Sequence, residues 1–378
     1  MSGSVHHRPF RLFKDLERPG DVFRDLGPNW FATVMGTGIV ANAAALLPAR
    51  VSGLHAAARA VWALAACALI ALTAAWAVHW IRHRERAVAH AANPVMAQFW
   101  GAPAMALMTV GAGTVLLGRD WIGLRAAVDA DWVLWGAGTA LGLVTACWIP
   151  YLMMTRHPIA PDAAFGGWLM PVVPPMVSAA TGALLIGHVA SAQGRLTMLL
   201  GCYAMFGISL IASMIIIPQV WSRMVLHKPG PAVMMPTVWI VLGPLGQSVT
   251  AAGNLAGVAG TALPRPYPAG TAVFALLYGV PTWGFAMLWL ALATALTVRT
   301  ARQGLPFSLT WWSFTFPLGT CVTGTISLAA RTHSEVLRGA ALLLFALLAV
   351  AWVVVAARTA AGAARGRLFL PIAAAPVD

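Results

Sequence analysis

Two histidines at the end of an apolar stretch could support metal or redox chemistry. His79 and His83 lie four residues apart, and His90 follows them. On a helix this spacing places two imidazoles on one face, where they could bind a metal ion or a haem iron. The run RHRER at 82–86 is also typical of a membrane boundary with snorkelling side chains. A membrane haem or redox protein is therefore one hypothesis, although no partner pair occurs elsewhere in the sequence.

Other catalytic and metal-binding patterns are missing from the sequence. The four cysteines fall singly in different apolar segments, so neither a disulfide framework nor a zinc site is predicted. GxSxG, Walker and GxGxxG motifs do not occur in a usable context. We therefore expect no cofactor, no metal and no enzymatic activity.

The polar groups within the apolar segments are neutral. All 11 acidic residues fall outside the centres of these segments. Carboxylates at membrane depth are typical of proton- or sodium-driven carriers and of cation pores, so their absence favours anions. Hydroxyl groups such as that of Thr37, and N–H groups at helix breaks, can bind an anion. The alternative for each hydroxyl is a hydrogen bond to its own helix.

A proline interrupts an apolar segment late in the chain, in WWSFTFPLGT at 311–320. Pro317 cannot donate a backbone hydrogen bond, and in lipid an exposed unpaired carbonyl costs several kcal/mol. The break is therefore expected to face protein or a water-filled cavity. Phe316 directly precedes this proline, whose ring would aim the benzyl group away from regular helix geometry. Gly319 would let a neighbouring helix approach closely.

The elements that carry these residues are predicted membrane helices. Of the 378 residues, 60% are hydrophobic and 9% charged, and the mean hydropathy is +0.77. This composition excludes a soluble domain. A span needs roughly 20 apolar residues, and ten segments qualify. They lie near 29–47, 55–80, 94–117, 131–154, 166–189, 196–221, 233–258, 270–297, 306–329 and 337–358.

The distribution of basic residues predicts the orientation. When successive loops are assigned to opposite sides of the membrane, 16 of the 24 Lys and Arg residues lie on the same side as the termini. The positive-inside rule then makes both termini cytoplasmic in a cell (inner) membrane. The domains are a cytoplasmic tail at 1–28, a ten-helix transmembrane domain at 29–358 and a second cytoplasmic tail at 359–378. The net charge of +13 sits in these short loops, so we expect the lipid bilayer and not nucleic acid as partner.

The odd segments are interrupted and the even ones are smooth. Each odd segment contains a helix-breaking residue, here called a breaker, and the five are Gly36, Pro103, Pro174, Pro244 and Pro317. Successive breakers are 67, 71, 70 and 73 residues apart. A fixed period near 70 indicates repeated units, each a helical hairpin. The fold class is therefore an all-α polytopic membrane protein, with ten transmembrane helices as five helical hairpins around a central pore lined by the breakers. Five independently kinked helices are the alternative.

Two motifs resemble a known family. GPNWFATVMGTGIV at Gly27–Val40 and PFSLTWWSFTFPLGT at Pro306–Thr320 are similar to the tellurite-resistance/dicarboxylate transporter family, of the voltage-dependent anion channel superfamily. The resemblance covers all ten predicted spans. In the first span, GIVANAA looks closer to the malate and sulfite branch.

The resemblance implies a homotrimer of five-hairpin subunits with the odd helices inside. It also implies anion permeation, with a phenylalanine from the ninth helix as pore gate. By motif position this phenylalanine is Phe316, with Phe314 as the second candidate. The leading hypothesis is an anion channel or transporter for small anions, either a C4-dicarboxylate such as malate or sulfite. A proton-coupled carrier of the same anions is the alternative.

Overall fold

The computed structural model describes residues 12–48 and 52–370, and no β-strand occurs in these two ranges. The outermost parts of both predicted tails, 1–11 and 371–378, lie outside the described residues. The described α-helices are α1 Phe31–Leu46, α2 Leu54–Arg82, α3 Arg84–Ala92, α4 Gly101–Gly113, α5 Arg119–Ile122, α6 Leu124–Thr155, α7 Pro174–Ile186, α8 Ala192–His227, α9 Leu242–Val258, α10 Tyr267–Gln303, α11 Phe316–Thr332 and α12 Glu335–Arg365.

The interrupted segments share one design, in which a tight 3-10 segment leads into an α-helix. These segments precede α1, α4, α7, α9 and α11, and they are Pro28–Trp30, Met96–Trp100, Gly166–Leu169, Ala232–Val241 and Leu309–Phe314. The predicted prolines follow them in the first turn of the α-helix, at Pro103, Pro174, Pro244 and Pro317. A first-turn N–H has no intrahelical acceptor, so proline costs little there. The prolines therefore begin helices and do not kink them.

Gly36 is not at a break, which corrects the prediction for the first segment. Helix α1 runs uninterrupted from Phe31 to Leu46, and the irregular turn lies earlier, at Pro28–Trp30. Glycine lowers helix propensity by only about 1 kcal/mol, which packing overrides. Gly36 instead has a packing role against Trp312 and Thr315.

Burial divides the helices into two layers. The most apolar stretch of Met96–Ile122 has 89% of its residues buried, and that of Ala232–Thr261 has 72%. The corresponding share is only 17% in α2 and 22% in α12. Helices α1, α7 and α11 are also buried along most of their length. The inner layer is therefore α1, α4, α7, α9 and α11, and the outer layer is α2, α6, α8, α10 and α12.

The inner helices form a closed ring. Helix α1 contacts α4, α4 contacts α7, α7 contacts α9, α9 contacts α11, and α11 returns to α1. Each inner helix also packs against the long outer helix that follows it in the chain. A ring needs close approach between backbones, and small residues at the contacts supply it.

Seven helical segments of the described chain are long and apolar enough to cross a membrane. Helices α1, α7 and α11 fall short, with 16, 13 and 17 residues. The structure therefore supports a multi-pass, all-helical membrane protein. The described ends of the chain lie together, since the Phe13 N–H donates to the Ala364 carbonyl (2.8 Å) and Trp30 stacks on Phe369 with ring centroids 4.7 Å apart.

Candidate functional site

A narrow cavity lies inside the ring and is lined from all five interrupted segments. Its volume of about 20 Å³ is room for a single water molecule. The lining is apolar apart from one hydroxyl group. It consists of Ala32, Met35, Phe99, Met105, Met170, Val173, Ile240, Gly243, Leu309, Ser313, Phe316 and Pro317.

Phe316 contributes its ring to this cavity. It is the first residue of α11 and is 2% exposed. The preceding residue, Thr315, separates the 3-10 segment Leu309–Phe314 from α11 and donates its hydroxyl to the Trp312 carbonyl (2.7 Å). The change from 3-10 to α-helix therefore lies directly before Phe316. Pro317, in the next position, also lines the cavity.

Phe314 lies in a different environment. Its ring packs edge-on against Trp239, with centroids 5.2 Å apart, and against Trp311, at 5.7 Å. Phe314 does not line the cavity at Phe316. Of the two candidate rings, only Phe316 lies among residues from all five segments.

The predicted glycines are contact points between α1 and α11. A Cβ at Gly36 would overlap the Thr315 hydroxyl and lie 2.6 Å from the Trp312 ring. A Cβ at Gly319 would lie 2.6 Å from the side chain of Ile39. Both distances are too short for a side chain, so these glycines hold the two helices close together.

Thr37 has its hydrogen bonds away from the cavity. Its hydroxyl donates to the Thr33 carbonyl (2.7 Å) and accepts from the indole N–H of Trp352 on α12 (3.1 Å). Similar bonds join other outer helices to inner ones, as from Trp283 to Thr325 (2.9 Å). Thr37 therefore joins α1 to α12 through its hydrogen bond with Trp352. The predicted prolines Pro103, Pro174 and Pro244 likewise lie beside lining residues and not among them.

A much wider cavity opens at the other end of the inner helices. Its volume is about 660 Å³, and we call it the vestibule. Its polar lining includes the hydroxyls of Thr250 and Thr323, which lie 2.8 Å apart. The lining residues are Leu46, Ala183, Thr250, Gly253, Asn254, Gly257, Val258, Thr323, Ile326, Ser327, Ala330 and Arg331.

Arg331 and Gly243 are lining residues that the sequence analysis did not identify. Arg331 is near the end of its segment, where hydropathy assigns it to a loop. Its spacing from Thr323 and Ser327, four residues each, is a helical signal that could have revealed it. Gly243 gave no such signal, because a glycine that lines a cavity cannot be told from any other glycine in a single sequence.

Asp131 lies further into its helix than the sequence predicts. The predicted span began at this residue, but α6 begins seven residues earlier, at Leu124. The Asp131 carboxylate is fully buried against Gly111 of α4, and neither oxygen has a hydrogen-bond partner in the described part of the chain.

The histidine pair is not arranged as a metal site. His79 is buried and hydrogen-bonded through Nδ1 to the Phe23 carbonyl (2.9 Å), and its ring stacks on His90 with centroids 5.3 Å apart. Burial lowers the pKa of His90 to about 4. Within 12–48 and 52–370, no group of three His, Cys, Asp or Glu side chains could hold a metal ion.

Comparison with known proteins identifies relatives that are transporters. A sulfite efflux pump of Arthroderma otae is 27% identical over 366 residues, which are 92% of this chain and 96% of that protein. A sulfite efflux pump of Trichophyton rubrum is 27% identical over 85% of this chain and 89% of its own length. An uncharacterized transporter of Methanocaldococcus jannaschii is 27% identical over 83% of this chain and 86% of its own length.

The family assignment depends on a longer match. The sequence profile described as voltage-dependent anion channel matches residues 25–360, which include every inner and outer helix of the ring up to the last turns of α12. The resemblance carried by the two motifs at 27–40 and 306–320 is thereby confirmed. This multi-pass membrane protein belongs to the voltage-dependent anion channel family.

Proposed function

We propose that this protein is an inner-membrane anion channel or transporter, with ten spans forming five hairpins around a central pore. The closed ring of inner helices supports the pore, because each ring helix is followed by an outer helix that packs on it. The 3-10 segments lengthen the short inner helices, so that the segment of α11 runs from Leu309 to Thr332. The charge bias places both termini in the cytoplasm, and the family resemblance favours a homotrimer.

Phe316 is the proposed gate of this pore. The observation that carries the proposal is the cavity of about 20 Å³, where the Phe316 ring meets residues from all five inner segments. A hydrated anion cannot enter so small a space, and an apolar lining offers no replacement for its hydration. This constriction supports Phe316 as the gate of the proposed pore.

The transported species is proposed to be a small anion, with sulfite first and a C4-dicarboxylate such as malate second. Two relatives bear the name sulfite efflux pump, which favours sulfite. No carboxylate is found among the described residues that line the narrow cavity or the vestibule. Hydroxyl groups and one arginine line the vestibule, and such donors suit an anion.

Sulfite flux from proteoliposomes tests this function. We expect Phe316→Ala to raise flux about tenfold or more, equivalent to removing at least about 1.4 kcal/mol from the barrier. Phe314→Ala is the matched control, because its ring packs on tryptophans outside the cavity. If the Phe316 ring only packs, its removal costs about 3–5 kcal/mol of stability without any gain in flux. A gain from Phe314→Ala alone would mean that Phe314 is the gate.

A proton-coupled carrier of the same anions is the second candidate. The observation that favours it is Asp131, whose buried carboxylate packs against an inner helix and has no hydrogen-bond partner in the described chain. Such a group can bind and release a proton as its surroundings change. Flux measured under a pH gradient at zero membrane potential separates the two. Uphill accumulation supports the carrier, and flux that follows voltage alone contradicts it.

A further inference from the structure

Among the described residues that line the vestibule, Arg331 is the one with a charged side chain. It lies in the last turn of α11, on the side of the molecule opposite the described chain ends. Fifteen residues separate it from Phe316, which is about 22 Å along a helix. Its side chain is half-buried and lies beside α9.

This arginine has no acidic partner. Among the described residues, no Asp or Glu oxygen lies within 4.0 Å of its guanidinium group. One N–H donates to the Gly253 carbonyl, and the other donors make no bond to described protein atoms. By contrast, Arg338 on the same side of the protein pairs with Glu335 at 2.5 Å. The positive charge at 331 is therefore available to a ligand in the vestibule.

Helix α9 passes close beside the Arg331 side chain. A Cβ at Gly257 would lie 3.8 Å from Arg331 Nη2, and one at Gly253 would overlap the Ser327 hydroxyl. Two glycines four residues apart place the bare backbone of α9 beside the arginine. The side chain thus lies along a groove and faces the open vestibule.

A row of polar side chains leads from Arg331 toward the gate. Thr323, Ser327 and Arg331 follow one another at four-residue spacing on α11 and all line the vestibule. At 100° per residue, Phe316 lies within about 60° of Arg331 around the helix. An anion held at Arg331 would therefore be on the face of α11 that ends at the Phe316 ring.

We propose that Arg331 is an anion-binding residue at the wide mouth of the pore, and that its ligand is a small oxyanion such as sulfite. The proposal rests on the proposed function, since it assigns a substrate contact to the same pathway. The planar N–H fork of arginine matches two oxygen atoms of an oxyanion, whereas chloride offers no such pair. The uncompensated charge also raises the local anion concentration at the mouth.

Sulfite flux through the Phe316→Ala protein tests the proposal. At low ionic strength and low sulfite concentration, we expect Arg331→Gln to reduce flux about tenfold. Salt screens the charge, so the difference should shrink at high ionic strength. Arg331→Lys should keep much of the flux, and Arg338→Gln, the matched control, should change nothing. Chloride flux should fall less than sulfite flux in Arg331→Gln.

A structural role predicts a different pattern. If Arg331 only joins α11 to α9 through Gly253, then both Arg331→Gln and Arg331→Lys lower the melting temperature, and neither changes the salt dependence of flux. An unchanged half-saturating sulfite concentration in Arg331→Gln would overturn the proposal.

Binding measured without transport separates this proposal from the proposed function. Sulfite should raise the melting temperature of the detergent-solubilised protein, and this shift should be lost in Arg331→Gln and kept in Arg338→Gln. If the shift behaves so but no variant carries sulfite, the proposed function fails and the binding site stands. If sulfite is carried and the shift is equal in both variants, the function stands and the site is wrong.

Discussion

The two ends of the inner ring differ in width, although the same helices form both. Near Phe316 the space is about 20 Å³ and the lining includes Met, Phe and Ile side chains. Near Arg331 it is about 660 Å³ and the lining is mostly Gly, Ala, Ser and Thr. The ring is closed by contacts around its full circle. The comparison teaches that the narrow end is lined by larger side chains than the wide end.

The largest expected effect comes from refilling the narrow end. Gly243 lines the cavity at Phe316, and a Cβ at this position would meet no atom within 4 Å. We expect Gly243→Leu in the Phe316→Ala protein to return sulfite flux toward the wild-type rate, reversing the about tenfold gain. A leucine there fills the space left by the benzyl group.

Gly201→Leu on the outer helix α8 is the control, because a Cβ there also meets no atom within 4 Å. It should leave the flux of the Phe316→Ala protein high. If Gly243→Leu has no more effect than Gly201→Leu, the cavity is not the path, and side-chain size there does not set the width.

A smaller effect is expected where two inner helices touch. A Cβ at Gly36 would overlap Thr315 and press on the Trp312 ring, just before the proposed gate Phe316. Overpacking of this kind costs about 1–3 kcal/mol, so Gly36→Ala should lower the melting temperature. Gly201→Ala should be neutral or stabilising, because alanine favours helix. Equal melting temperatures for both variants would show that α1 can move away from α11 without cost.

The smallest effect is expected between the layers. Trp352→Phe removes the hydrogen bond to Thr37 while retaining an aromatic ring. We expect a loss of about 0.5–1.5 kcal/mol in the free energy of unfolding, measured by denaturant titration, and no change in flux. A clear change in sulfite flux would indicate that the Thr37 hydroxyl serves the pore after all. The pathway would then include a third, polar region between the narrow cavity and the vestibule.

Much of the architecture follows from patterns that repeat along the chain. The period near 70 residues and the alternation of interrupted and smooth segments predict which helices are buried, and burial agrees for both layers. The family resemblance favours Phe316 over Phe314 by motif position, and the proline at 317 predicts irregular backbone beside it. That local constraint on the backbone can be recognised in one sequence.

The remaining features depend on contacts between distant residues. Gly36 looked like a breaker, but its small size serves the contact with Trp312, far away in sequence. Asp131 was the first residue of its predicted span, although α6 begins at Leu124, because hydropathy finds the apolar part of a helix and not its first turns. The free charge of Arg331 depends on which acidic residues are near in space, and the sequence does not give those distances.

The uncharged lining around Phe316 has an electrical consequence. A membrane potential acts on a conformational step only through the charge that the step moves, at about 2.3 kcal/mol per elementary charge for each 100 mV. Swinging a benzyl ring aside within this lining moves no formal charge. A membrane potential would therefore drive ions through the open pore without changing the probability that this ring is in an open position. A charged group elsewhere, or a bound anion itself, would have to supply any voltage sensitivity of the gate.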